Sequence, residues 1–432
     1  MPLADHPRLR RIALAYSVNE TGRWFALIAV SLIVYARTGH SAVAVAAVLV
    51  TPLLPALLAP AVVARVEASR RRGTLSALYA LEALSAVALA GALWRFSLPA
   101  ILILIGIDGA ASFPARALLR SEATRAGGAR EGRGADEGRG SERAQGPAGG
   151  ERERSAAIHL ANSTLNVCLA VTGMAGPRLA GLSVSALGGP VSLLAAAGCL
   201  ALCGLLTGDL RPFVEEAGTS VWIRLRAARE HIGESPGMAA LLGTEAVAVM
   251  LFTAAVPVEL LYAKHTLNAG NPGYGGLIAA WGAGMLAGSA LFARAGGARG
   301  GARARRARGP ASETMLWGGT LAVGLAFVGF AAAPSLWLAY LAAALGGLGN
   351  GTQWPALLDQ VQRSTPPHLL GRMMGAVEGL GGVAPVLGYA LGGLLGTLLA
   401  PRGALLLDGL AATAVTLAFL RLVPLLAGRA EP

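Results

Sequence analysis

The chain has 432 residues, of which 54% are hydrophobic and only 14% charged, with 36 basic and 24 acidic side chains. A soluble domain carries about 25% charged residues, so these charges are too few to cover a water-soluble protein of this length, and lipid is expected to replace water over most of its surface. The net charge of +12 lies in short clusters between apolar runs and not on one basic face interleaved with aromatics, which excludes a nucleic-acid partner.

A helix needs about 20 apolar residues to cross a bilayer. Runs of this kind occupy 12–36, 42–64, 74–94, 98–120, 157–185, 190–207, 238–261, 274–294, 314–333, 335–358, 373–398 and 403–423. They are too long, and alternate too little, to be barrel strands. The expectation is an all-α membrane protein of twelve transmembrane helices. The first run carries Asn19, Glu20 and Arg23 and lacks a small-residue cleavage site, so it reads as a span and not as a cleaved leader. The 59 glycines suit helices that must approach closely without a hydrophobic drive between them. Cys168, Cys199 and Cys203 all fall within apolar runs, without metal-ligand spacing, and read as small buried side chains.

Basic residues orient the spans. With the N-terminus inside, the inner side receives Arg8, Arg10, Arg11, Arg70, Arg71, Arg72, Arg211, Arg224, Arg226 and Arg229, then Arg299, Arg303, Arg305, Arg306 and Arg308. The outer side receives only Arg37, Arg95, Lys264 and Arg402. Both termini are therefore expected in the cytoplasm, in a multi-pass protein of the inner membrane.

A polar stretch, 208–237, carries Pro212 and Pro236 and divides the chain into six-helix halves, 1–207 and 238–432. The halves echo one another. Span four ends in FPARALL around Pro114 and span ten in WPALLDQ around Pro355; span five carries Pro177 and span eleven Pro385. Such internal repeats mark many transporter folds. Pro114 and Pro177 are 63 residues apart, however, and Pro355 and Pro385 only 30. The excess falls on Ala123–Ser155, which holds no Leu, Ile, Val, Phe or Met. Glycine mixed with alternating charge cannot bury enough apolar surface to offset chain entropy, so 124–153 is expected to be a disordered cytoplasmic insertion.

Several segments resemble the major facilitator superfamily, within its bacterial drug-efflux and secretion-effector branches. Pro60 to Arg72, PAVVARVEASRRR, is similar to the loop motif between the second and third spans, with Glu67 where Asp is usual and Arg71 and Arg72 as its basic part. The family uses that loop as a conformational latch; the same arginines also serve as a plain positive-inside anchor. GMAGPRLAG, with Gly173, Gly176, Pro177 and Gly181, is similar to the motif of exporters, and is equally a kinked packing helix. Ile105 stands where many proton-coupled members carry an arginine. LLDQVQRSTPPHLLGRMM resembles the connection between spans ten and eleven.

Charges inside spans are costly to insert, so they face the bundle interior or a wet cavity. They comprise Glu20, Arg23, Glu82, Asp108, Arg178, Glu245, Glu259, Glu378 and Asp408. The resemblance implies that spans one, four, seven and ten line a central cavity. That selects Glu20, Arg23, Asp108 and Glu245, with Asn350, Gln353 and Trp354 from span ten. Glu20 and Arg23, three apart, share a helix face and can pair, as a structural ion pair or as cavity charges. Arg23 or Arg178 is the expected partner of Asp108.

The sole lysine, Lys264, lies in AKHT and forms no Walker loop, and no catalytic motif is present. The chain is expected not to be an enzyme and to need no cofactor and no metal. The resulting expectation is a monomeric secondary transporter that exports a small molecule, drug or metabolite, by proton antiport. An uptake permease and a non-transporting receptor or scaffold on the same fold are the alternatives.

Overall fold

The computed structural model describes residues 6–56, 73–128, 147–210, 232–233, 235–297, 302–366 and 369–427. Local sequence sets where the helices start. Helix α1 (Pro7–Arg37) opens with proline in its first turn, where a missing N–H costs nothing. The Ser41 hydroxyl accepts from the Ala44 N–H at the start of α2 (Ala42–Val50). A short turn, α3 (Leu53–Ala56), follows. Next come α4 (Thr74–Arg95), α5 (Leu98–Gly128), α6 (Pro147–Leu187) and α7 (Gly189–Leu206). Between α6 and α7 stands a single residue, Gly188 at φ +81°, a conformation that side chains with a Cβ rarely adopt.

Ser235 caps α8 (Pro236–Leu261) through the N–H of Met238, and α8 runs into one π-helical turn, Tyr262–Thr266. The series ends with α9 (Asn271–Gly297), α10 (Ala302–Ala332), α11 (Leu336–Ser364), α12 (Leu370–Leu398) and α13 (Pro401–Ala427). There is no strand among the described residues.

Nine helices among the described residues are long and apolar enough to cross a membrane: α4 to α10, α12 and α13. The other three of the twelve expected runs fall on α1, on α2–α3 and on α11. Each misses for a visible reason. Arg8, Arg10, Arg11, Glu20 and Arg23 dilute α1; the chain leaves the described residues after Ala56; glycines, Asn350 and Gln353 lower α11.

The expected insertion, 124–153, is not structureless at its edges. Residues 124–128 continue α5 and 147–153 begin α6. Its composition does not oppose helicity, because Ala, Arg and Glu are good helix formers in water, and within it Ala126, 5% exposed, packs into the core of the first helix group. Residues 129–146 lie outside the described residues, as do 211–231 and 234 of the expected linker. At the linker's start, Asp209 accepts two hydrogen bonds from Arg11 Nη2, at 2.7 and 2.9 Å, which hold its carboxyl below the usual carboxylate range and tie α7 back to α1.

Helix contacts fall into two groups. Within the first, α1 packs on α6 and α7, α4 on α5 and α7, and α3 on α5. Within the second, α8 packs on α12 and α13, α10 on α11 and α13, and α9 on α11. These pairings repeat at an offset of six runs. Between the groups the principal contacts are α6 on α9 and α2 on α12, again a matched pair.

The close contacts between the groups gather at one end, hereafter the seam end. The short turns 38–41, 96–97, 262–270, 333–335 and 399–400 lie there with Gly188. The apolar core confirms the asymmetry. One cluster, including Ile28, Leu89, Val258, Leu261 and Phe330, runs through both groups at the seam end. Toward the opposite end the core splits in two. Leu9, Tyr16, Tyr79 and Leu118 fill the first group, and Met238, Trp317, Leu357 and Met373 the second. Large apolar side chains such as Leu84, Trp94, Leu205 and Trp337 point outward, as a lipid-facing surface requires.

Candidate functional site

In the first group, α1 turns Glu20 into the interior at 5% exposure, with Arg23 half-buried one turn on. Arg23 Nη1 stands 3.5 Å from Glu20 Oε1, so the two pair at the edge of hydrogen-bonding distance. Arg23 also lies in the field of Glu82 from α4 and Asp108 from α5. A second guanidinium, Arg116 of α5, shares that field with Glu20, Glu82 and Asp108, and stands 4.6 Å above the Phe113 ring. The result is three carboxylates around two guanidiniums inside the helix bundle. Glu82 Oε1 and both amide atoms of the fully buried Asn19 have no hydrogen-bond partner among the described residues.

In the second group, Gln353 Nε2 of α11 donates to Glu245 Oε1 of α8 at 2.8 Å, both side chains being buried. Asn350 is half-buried one turn before Gln353. Trp354 rests against the apolar cluster of Met238, Trp317 and Leu357, so packing accounts for its ring. Farther along α8, half-buried Glu259 interacts with Tyr274 of α9, Tyr389 of α12 and Asp408 of α13. Asp408 is 2% exposed, and neither of its oxygens has a hydrogen-bond partner among the described residues. Tyr389 feels Arg23 as well as Glu259, and so connects the fields of the two groups.

The structure thus brings Glu20, Arg23 and Asp108 together and joins Glu245 to Gln353, as two separate sets. Arg178 is not the partner of Asp108. Its Nη1 donates to the Pro272 carbonyl at 3.4 Å, at the seam end, because Pro177 and its glycines carry this stretch of α6 against α9. There the Gly173 carbonyl faces Gly282, the Pro177 carbonyl faces Gly275, and Gly181 lies against the Asn271 backbone, while Gly176 receives the Trp24 ring. Glu67, Arg71 and Arg72 lie outside the described residues, and so does the Glu378 side chain.

Arg116 and Tyr389 were not selected from the sequence, and Glu82, Glu259 and Asp408 were not placed in the cavity. Arg116 obeys the rule that picked out Arg23, a charge inside an apolar run, and was legible by it. Tyr389 carries no charge, and only the packing of α12 reveals it.

No protein-family model and no curated protein sequence matches the chain. Solved structures do match. The nucleoside transporter NupG superposes with a TM-score of 0.70 at 14% identity, over 96% of this chain and 98% of that one. The POT family transporter PepTSo gives 0.68 at 9% identity, over 99% of both. A POT family transporter in complex with 5-aminolevulinic acid gives 0.66 at 12% identity, over 96% of both. The chain has the all-helical fold of these membrane transporters. With its apolar helices, that makes it a multi-pass membrane protein.

Proposed function

We propose that the chain is a secondary transporter of the major facilitator type, with twelve spans in two six-helix halves, 1–207 and 238–432, acting as a monomer in the cytoplasmic membrane. The observation that carries this is the buried cluster of Glu20, Glu82, Asp108, Arg23 and Arg116 inside a transporter fold. A bundle serving only as a scaffold gains nothing from it, since buried ion pairs are often no more stable than the apolar residues that can replace them. With all five groups ionised the cluster holds one excess negative charge, which a proton or another small cation balances. Exchange of that cation couples the substrate to an ion gradient. The likeness of Gly173–Gly181 to the exporter motif supports export of a small molecule by proton antiport.

With the termini in the cytoplasm, the seam end faces outward and the groups part toward the cytoplasm. A reporter active only outside the cytoplasm, fused at Asn271, is expected to work, and the same reporter at Pro432 to be silent. The reverse pattern overturns the orientation.

The function itself is tested with purified protein in sealed vesicles, screened against metabolite and drug pools under an imposed pH gradient. Movement of at least one small molecule against its own gradient, lost when a protonophore collapses the pH difference, is expected. Accumulation driven by protons moving the same way identifies an uptake permease; no gradient-driven movement of any compound leaves the receptor or scaffold.

A further inference from the structure

Among the described residues, a crevice on the membrane-facing surface is not used by the transport reading. It lies at the seam end, has a volume of about 450 Å³, and is walled by Leu32 and Ile33 of α1, Leu93 of α4, Val184 and Leu187 of α6 and Val191 of α7. Its mouth is polar. Arg37, in the last turn of α1, is exposed and has no hydrogen bond or ion pair among the described residues. Asn271, from α9 of the other helix group, closes the far side and accepts a hydrogen bond from the Lys264 ammonium through Oδ1. One cation, Arg37, thus lines the apolar slot, and a second, Lys264, stands behind Asn271 at its far side.

Trp94 lines the crevice at 79% exposure, and Trp337 stands 78% exposed at the same end. Exposed tryptophans on a membrane protein mark the boundary between acyl chains and headgroups. Leu187 and Val191 remain largely exposed beside them, so the slot opens sideways toward lipid. An apolar slot below that boundary and two cations at it match the two parts of a phospholipid.

We propose that this crevice is a binding site for an anionic phospholipid, with an acyl chain among Leu32, Leu93, Val184 and Leu187 and the phosphate between Arg37 and Lys264. The bound lipid joins α1, α4, α6 and α7 to α9 beside the contact of Gly181 with Asn271, and so braces the seam in its closed form.

The test uses the full chain in detergent, titrated with phosphatidylglycerol and, separately, with phosphatidylcholine of the same acyl chains. Binding is read by native mass spectrometry and melting temperature. Phosphatidylglycerol is expected to bind more tightly and to raise the melting temperature by roughly a few degrees. A cation beside an anionic headgroup accounts for about fivefold in affinity. The double variant Arg37→Gln, Lys264→Gln is therefore expected to lose roughly twenty-five-fold for phosphatidylglycerol and nothing for phosphatidylcholine. Glycerol phosphate, which lacks acyl chains, is expected to leave the melting temperature unchanged. Val184→Trp, which fills the slot, is expected to abolish the difference between the lipids; if that variant does not fold, the double variant decides. Equal binding of both lipids to wild type, an unaltered double variant, or a full shift with glycerol phosphate alone overturns the site.

Discussion

Asp108→Asn is expected to abolish pH-driven transport while the protein still reaches the membrane in normal amount. The expectation rests on the charge balance around Arg23 and Arg116, which two carboxylates neutralise and a third exceeds. An uncompensated charge in a low-dielectric interior costs several kcal/mol, so the third carboxylate holds a proton or a cation. Asp108 is the group best placed to exchange it, being less deeply buried than Glu20 and Glu82. Asparagine fills nearly the same space, removes the excess charge and has no proton to give up. The pH-driven rate should fall by about a hundredfold or more, equivalent to about 2.7 kcal/mol. Substrate exchange between the two faces without a gradient should continue, because the helices that alternate are untouched. Glu20→Gln should also impair coupling, with some loss of stability through Arg23. If both variants, alone and together, transport normally under a pH gradient, the carboxylates are structural partners of the two arginines.

Gly351→Val is expected to remove most of the folded protein. Helices α9 and α11 meet through two runs with glycines four apart, Gly284 and Gly288 on one and Gly347 and Gly351 on the other. Such spacing lets helix backbones touch. A Cβ on Gly351 would stand 2.8 Å from both the Cα and the carbonyl carbon of Met285. The obstacle is backbone, which cannot rotate aside as a side chain can. Overpacking of this kind costs about 1–3 kcal/mol where side chains can adjust, and more where they cannot. The monodisperse fraction on size exclusion and the melting temperature measure the loss. Gly198→Val is the control, since a Cβ at that exposed position of α7 meets nothing within 4 Å. Wild-type yield and melting for Gly351→Val would show that α9 and α11 can part without harm.

Hydropathy placed nine helices long and apolar enough to span among the described residues, because a bilayer demands long apolar runs whatever the substrate. It weakens where polar and charged side chains interrupt the runs. The run of α11 is weakened by Asn350 and Gln353, and that of α1 by Glu20 and Arg23. The pairing of Glu20 with Arg23 was legible because both lie on one helix face. The approach of Glu82 to Asp108 was not, since it depends on how α4 packs against α5. Glu245 and Trp354 were selected together by their spans, yet Glu245 takes Gln353 as its partner and Trp354 packs against apolar neighbours. Rotation of each helix about its own axis decides such outcomes, and near-uniform apolar runs carry little trace of it.

The seam has a kinetic meaning of its own. Along α6 and α9 the two groups meet through bare backbone at Gly173, Gly181, Gly275 and Gly282. Surfaces that interlock through large side chains must change many rotamers in concert before they separate, and each adds to the barrier. Smooth helix faces need no such rearrangement; they can roll past one another as rigid bodies. In the proposed transport cycle the aromatic contact of Tyr35, His40 and His265 is what must break at the end of the seam, and the glycines serve there as a bearing rather than a latch.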